Sequence, residues 1–370
     1  MKKRLLYAAL IFITLLLIIN PQKSVMYAQN GLSLCQSVII PSLFPFFVCS
    51  GLLIYSGFCE ILAKLLQPVM KPLFNINGSG AAAFVLGIIS GYPLGAVTAC
   101  QLYEKSYLSK TEAERLLAFC NNSGPLFILG AVGISLYHNP KIGIILYISH
   151  ILSALITGII FRFYNKNSFN APVSAINVED KSFSQIFSTV LANSLQSIIT
   201  VCGAVIFFSV ISSIITDLIP LSGNIKGAVI GLLEFVTGVS AISQSSMPLF
   251  EKLVLSAGVV GFAGLSVHIQ VMSVVSKYNL SLTPYIIGKG IQGVIAMLLT
   301  IILLRLIPSG LPVFSPSSLE ISGAFAMNSL FVILTVISTL FIALAGGIFA
   351  IFCKLHKDKK SNDCIADSRI

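Results

Sequence analysis

Tryptophan is absent from the 370 residues and charge is scarce, Asp, Glu, Lys and Arg together making up 10% of the chain, against roughly a quarter in an ordinary soluble domain. That scarcity excludes a soluble fold with a solvated polar surface. Also missing are a CxxC pair, a Cys and His spacing of the metal-binding kind, a phosphate-binding glycine loop and the paired acidic residues that intramembrane hydrolysis needs. An enzyme is therefore not expected, nor any cofactor beyond a coupling proton or sodium ion. The eight cysteines read as small apolar packers. Basic residues outnumber acidic ones, 23 to 13. They are scattered singly between apolar runs, not gathered on one face with aromatics, which argues against a nucleic-acid partner.

What fills the chain instead is apolar sequence, 56% of all residues. The fold class is all-α integral membrane, in contact with the lipid bilayer, with room for about ten crossings or half-crossings of ~20 residues each. The runs cover 5–19, 36–54, 81–103, 112–137, 142–163, 186–215, 225–247, 252–276, 282–306 and 327–353. Met1-Lys2-Lys3-Arg4 and the run after it have the basic start and apolar core of a signal peptide. No small-residue cleavage site follows, and the segment is read as a retained first helix.

Two runs are interrupted at their centres, one by Ser90-Gly91-Tyr92-Pro93-Leu94-Gly95-Ala96 and the other by Glu234 with Thr237, Gly238 and Ser240 close behind. Both are predicted as re-entrant hairpins, leaving eight crossings and both termini cytoplasmic. Charge supports that arrangement. Lys23, Lys141, Lys226, Lys252 and Arg305 fall outside, Lys289 falls within a span, and every other basic residue falls inside, as the positive-inside rule requires.

A weak internal repeat relates the two hairpins. Gly87-Ile88-Ile89-Ser90 resembles Gly231-Leu232-Leu233-Glu234, and each is followed by a second broken segment, Cys120-Asn121-Asn122-Ser123-Gly124-Pro125 or 257–264. Each half then closes with an apolar span ending in an arginine, Arg162 or Arg305. Three crossings and a hairpin per half put the second half upside down, the inverted repeat with broken helices from which many secondary transporters build a midplane site. The predicted organisation is an anchor at 1–30, repeats at 31–165 and 186–306, a cytoplasmic linker at 166–185, a loop and last span at 307–353, and a charged tail at 354–370. Residues 60–75 read as an interfacial arm.

Backbone leaves a helix at bilayer depth only where protein or a watery cavity satisfies its freed N–H and C=O groups. The candidate substrate-binding residues follow from that constraint. Ser90, Gly91, Tyr92 and Gly95 form the first tip, where glycine allows close approach and the new half-helix presents free N–H groups suited to a carboxylate. Asn121, Asn122 and Ser123 offer amides and a hydroxyl that read a cargo or cap their own broken helix. Glu234, with Thr237, binds a proton, a sodium ion or substrate, or else pairs with Lys289 or Arg115. Lys289, between Gly288 and Gly290, is the counter-charge for a dianion, or snorkels to the inner face. His268 carries a proton or packs as a hydrogen-bonded core residue, and His150 is a weaker candidate of the same kind.

These motifs, Ser90-Gly91-Tyr92-Pro93 with Gly95-Ala96 and then Cys120-Asn121-Asn122-Ser123-Gly124-Pro125, resemble those of the YlbJ/SpoVV-type sporulation integral membrane proteins of endospore-forming bacteria. That family belongs to the nucleoside-recognition, or Gate, group, which is distantly similar to concentrative nucleoside transporters. The resemblance implies two Gate-like repeats and a transporter of a small anionic heterocycle, dipicolinate, across the outer forespore membrane during sporulation. A nucleoside or related solute is the alternative cargo. A structural or assembly role without transport is the alternative of a different class, and a second copy of the chain, as a homo-oligomer, or other sporulation membrane proteins are the expected protein partners.

Overall fold

A computed structural model describes residues 2–56, 58–165, 182–218 and 223–306. Most of the predicted linker, the predicted last span at 327–353 and the charged tail lie outside the described residues. Among the described residues every regular element is helical. Four helices among the described residues are long and apolar enough to cross a membrane, Pro140–Phe161, Phe183–Leu218, the interrupted Leu249–Val275 and Thr283–Leu306. Two bent pairs raise the number to six if each counts as one span: Leu10–Ile19 with Pro21–Ser37, bent by 101°, and Glu60–Phe74 with Gly78–Ser90, bent by 100°.

The chain begins with α1 (Lys2–Ile19), turns sharply at Asn20, and continues through α2 (Pro21–Leu34), a π turn (Cys35–Ile39) and α3 (Ile40–Tyr55). Sequence reading gave only 36–54 to this helix, because Gln22, Lys23, Ser24 and Asn30 look like loop. The polar stretch stays helical because it packs along α9 (Phe183–Leu218). Lys23 pairs with Asp217 at 3.0 Å, Gly31 lies against Ile206 and Ser209, Cys35 Sγ is 3.8 Å from the Cys202 carbonyl, and Gly51 lies against Val190. Partner numbers fall as chain numbers rise, so the two long elements run antiparallel.

After α3 the amphipathic α4 (Phe58–Phe74) buries Leu62, Met70 and Phe74 and exposes Ile61, Leu65, Val69 and Leu73. This is the form of the predicted interfacial arm. A short helical pair follows, α5 (Ala81–Ser90) and α6 (Leu94–Glu104), then α7 (Lys110–Cys120), the unwound residues 121–124, a π-helix (Leu126–Leu136) and α8 (Pro140–Phe161). The second half repeats the order. α9 is followed by the short pair α10 (Gly223–Leu233) and α11 (Phe235–Gln244), the interrupted α12 (Leu249–Phe262) and α13 (Gly264–Val275), and the uninterrupted α14 (Thr283–Leu306). The equivalent first elements, α2/α3 and α9, are the antiparallel pair described above. The relation between the halves is therefore inverted.

The membrane-embedded core holds α8, α12 and α14 against one another, with α7 against α8 and α14. At the end of α7 that starts with Lys110, charged groups fix loops. Ser109 and Glu112 form a capping box, and Glu112 also accepts from the Asn77 N–H at 2.9 Å. Glu114 accepts from the Ser281 N–H at 2.8 Å, and Arg115 donates to the carbonyls of Asn75, Tyr164 and Asn165. Arg115 is thus an organiser of loops and does not reach Glu234.

Each short pair sits on its half's break through glycine. A Cβ at Gly87 would come within 1.8 Å of the Cys120 carbonyl oxygen, and one at Gly95 within 2.1 Å of the same atom. Overpacking of this kind costs about 1–3 kcal/mol and often more where backbone is the obstacle. Gly87→Ala is expected to lower the thermal midpoint of the purified protein by circular dichroism. Gly203→Ala, at a position with no atom within 4 Å of the added Cβ, is expected to leave it unchanged or raise it slightly.

Candidate functional site

At the first tip, α5 ends at Ser90, Gly91 takes φ +85°, the Tyr92–Pro93 peptide is cis, and α6 starts at Leu94. The left-handed φ explains glycine at 91. The tip rests on the unwound 121–124 segment, with Gly91 beside the Gly124 nitrogen. Proline at 125, which brings no N–H, begins the next helical stretch there. Asn122 Nδ2 donates back to the Phe119 carbonyl at 2.7 Å, and Asn121 Oδ1 accepts from the Ala96 N–H at 3.4 Å. Asn121 therefore occupies part of the α6 N-terminus that was expected to face a carboxylate. Ser90 and Gly95 are buried behind the tip.

Lys289 holds this break from the far half. Its side chain is fully buried, not snorkelled. The Nζ donates to the Asn121 carbonyl at 3.0 Å, to Gln292 Oε1 at 2.7 Å and to the Tyr92 hydroxyl at 3.3 Å, and it lies 5.1 Å from the centre of the Tyr92 ring. Gln292 Nε2 in turn donates to Asn122 Oδ1 at 2.9 Å. An ammonium in a membrane core is costly, by about 2.5–3.5 kcal/mol on insertion scales. Here three oxygen acceptors and an aromatic face replace its water. Nearness to Gly288 is explained too, since a Cβ there would collide with the Ala118 carbonyl oxygen at 2.4 Å.

His150 completes the hold on the break. Its Nε2 accepts from the Ser123 N–H at 3.0 Å, so the ring is neutral with its proton on Nδ1. That Nδ1 is buried and has no hydrogen-bond partner.

The second tip is built differently. Glu234 is the N-cap of α11, and its Oε2 accepts from the Thr237 N–H at 2.6 Å and the Thr237 hydroxyl at 2.8 Å. The carboxylate thus caps its own half-helix and pairs with neither Lys289 nor Arg115. Oε1 is buried and makes no well-formed hydrogen bond, with the Ser266 hydroxyl, itself buried and unbonded, close to the carboxylate. The matching break is the single left-handed pair Ala263 (φ 75°) and Gly264 (φ 70°), where Gly264 lies against Glu234 and the Phe235 nitrogen. His268 Nδ1 bonds the Gly264 carbonyl at 2.7 Å, and the ring sits between Phe262 and Tyr285. It steadies the break through this bond, and its Nε2 is buried without a hydrogen-bond partner.

The two tips meet. The Tyr92 and Phe235 rings lie edge to face at 5.4 Å, and Phe127 meets Phe235 at 5.2 Å. Beside them is a cavity walled by both tips, the first break, α13 and the long antiparallel pair. Of the expected residues, Gly91, Tyr92, Ser123 and Glu234 line it. Asn121, Asn122, Thr237 and Lys289 form the bonded layer that fixes those four, while Ser90, Gly95 and His268 are packing or positioning residues. Gln270, whose Oε1 is buried without a partner, also lines the cavity. Sequence reading missed Gln292, although three residues after Lys289 it shares that helical face.

Residues 37–210 match the Gate family, described as nucleoside recognition. The sporulation integral membrane protein YlbJ of Bacillus subtilis (strain 168) is 31% identical over 330 residues, covering 79% of this chain and 80% of that protein. No solved structure matches the chain.

Lys289→Met leaves the Asn121 carbonyl and the Gln292 amide oxygen without their donor, a loss of about 1–3 kcal/mol for each buried group. A clear drop in the circular-dichroism midpoint is expected. Because the groups share one network, Lys289→Met combined with Gln292→Leu should cost less than the two single changes added together.

Proposed function

The chain belongs to the YlbJ-type family of sporulation integral membrane proteins and carries a Gate domain, and on that premise we propose that it transports a small anionic heterocycle, dipicolinate, through the cavity between its two hairpin tips. The direction we propose is across the outer forespore membrane, with both termini cytoplasmic. One observation carries the transport reading: two re-entrant tips from inverted halves converge on one cavity and bring to it a buried carboxylate oxygen that makes no well-formed hydrogen bond, with the unbonded Ser266 hydroxyl close by. A packing element has no use for such an atom, whose desolvation costs several kcal/mol when nothing answers it. Alternating access then consists of one tip and its break sliding against the scaffold of the other half.

Cargo choice turns on Glu234. A dicarboxylate entering beside a carboxylate is repelled, and it is accepted once Glu234 carries a proton and donates it in a hydrogen bond. Dipicolinate transport through this site is therefore proton-linked, with the buried Lys289 as the positive charge behind it. A second reading rests on the same atoms. Glu234 Oε1 and Gln270 Oε1 are free acceptors, which suits the hydroxyl and amino donors of a nucleoside without any proton.

Uptake into liposomes of radiolabelled dipicolinate and of a nucleoside, measured side by side, separates these readings. Dipicolinate uptake that rises on mild acidification, that loses this pH dependence in Glu234→Gln, whose neutral amide donates at any pH, and that falls at least ~10-fold in Glu234→Ala, is the expected result. Nucleoside uptake that falls on acidification favours the second cargo. Folded protein that takes up neither removes the transport reading and leaves a structural role.

A further inference from the structure

The hydrogen bonds that wall the central cavity lead directly to another one. A second, narrow cavity, with room for about one water molecule at most, lies between the π-helix, α8 and α12, lined by Val132, Leu146, His150, Ser256, Ala257 and Val260 among others. It too is formed by both halves, since α8 and the π-helix belong to the first and α12 to the second. Two hydrogen bonds separate it from the central cavity. One is the Tyr92 hydroxyl donating to the Val260 carbonyl at 2.8 Å, and the other is the Ser123 N–H donating to His150 Nε2 at 3.0 Å. In each bond the first residue lines the central cavity and the second lines the other.

We propose that this second cavity is the next chamber of the transport path, and that the Tyr92–Val260 and Ser123–His150 bonds are the partition a cargo must pass. The inference rests on the transport reading given above. The two chambers offer complementary chemistry. The central one presents free acceptors at Glu234 and Gln270, whereas His150, 2% exposed, brings a Nδ1–H with no partner to the second. A buried N–H without a partner is rare, and it marks a place where water or a ligand oxygen is received. Opposite it, Ser256 is already engaged with the Tyr137 hydroxyl at 2.8 Å, which leaves His150 as the recognising group. The second chamber therefore takes an oxygen acceptor, a carboxylate or carbonyl of the cargo, delivered by movement of the Tyr92 side chain. Both bonds involve the first tip or the break beneath it, so a sliding first hairpin opens the partition without disturbing the rest of α8 or α12.

The test uses the full chain in liposomes with single introduced cysteines, Ala257→Cys and Val132→Cys in the second chamber and Leu117→Cys as a buried control that lines neither cavity. A small, hydrophilic methanethiosulfonate is the probe, and labelling is read at each introduced site by peptide mass, so the native cysteines do not interfere. Val132→Cys removes volume, which keeps the test open if Ala257→Cys folds poorly. Labelling of the chamber sites about ten times faster than the control, slowed by the transported cargo and sped further by Tyr92→Phe, supports the proposal. Labelling at the control rate in a protein that takes up cargo overturns the second chamber while leaving transport through the central cavity standing. Labelled chamber sites in a protein that takes up no cargo overturn the path, since the chamber then leads nowhere.

Discussion

An ammonium group buried where three helices converge fixes the centre of this protein. Lys289 comes from the last described helix, and its partners are a backbone carbonyl of the first-half break, a tyrosine of the first tip and a glutamine one turn along its own helix. Without such a cation the Asn121 carbonyl, released when α7 stops, would lie in the membrane core unsatisfied. Without the break the cation would have no acceptors and would be expelled toward water. Each defect is stable only because the other is present. The outcome is an unwound segment held open between two halves of the chain, and that is what a midplane site requires.

The second half solves the same problem with less polar material. Its break is a single left-handed pair, Ala263 and Gly264, steadied by His268, and its tip is capped by Glu234 through Thr237. The inverted halves are therefore alike in path and unlike in chemistry. Cation and carbonyls gather at one tip, and a carboxylate with one unanswered oxygen stands at the other. Between Tyr92 and Phe235 the tips touch through aromatic edges, an apolar contact that carries no ionic lock. The long antiparallel pair of α2/α3 with α9 supplies the wall beside them.

Much of this was legible in the sequence, and the reasons are specific. Ser90–Ala96 and Asn121–Pro125 stand out because proline, glycine and amides are rare in apolar runs. The second tip was found because Glu234 is an ionisable group in such a run and because Gly87 and Gly231 hold the same place in a repeat. Partnerships were less visible. Lys289 lies few enough residues from the start of its span that snorkelling is a fair reading, and its burial and its bonds to Asn121, Tyr92 and Gln292 show that it faces inward. Its pairing with Glu234, one of the readings offered by the sequence, does not form, because the carboxylate is used by its own half-helix. The His150 bond to Ser123 joins residues 27 positions apart, and the Gln292 bond to Asn122 joins residues 170 apart. No local pattern records either. The helix through residues 21–34 was hidden for the opposite reason, since polar residues that resemble a loop are there matched by Asp217 and the small-residue face of α9.

The account stands on the claim that the two tips enclose the site where cargo binds. A cryo-electron-microscopy map of the whole chain with dipicolinate or a nucleoside bound tests it most directly. Ligand density between Tyr92 and Glu234, within reach of Gln270, is the predicted result. Density confined to either membrane face, or tips that do not share a cavity, would contradict it.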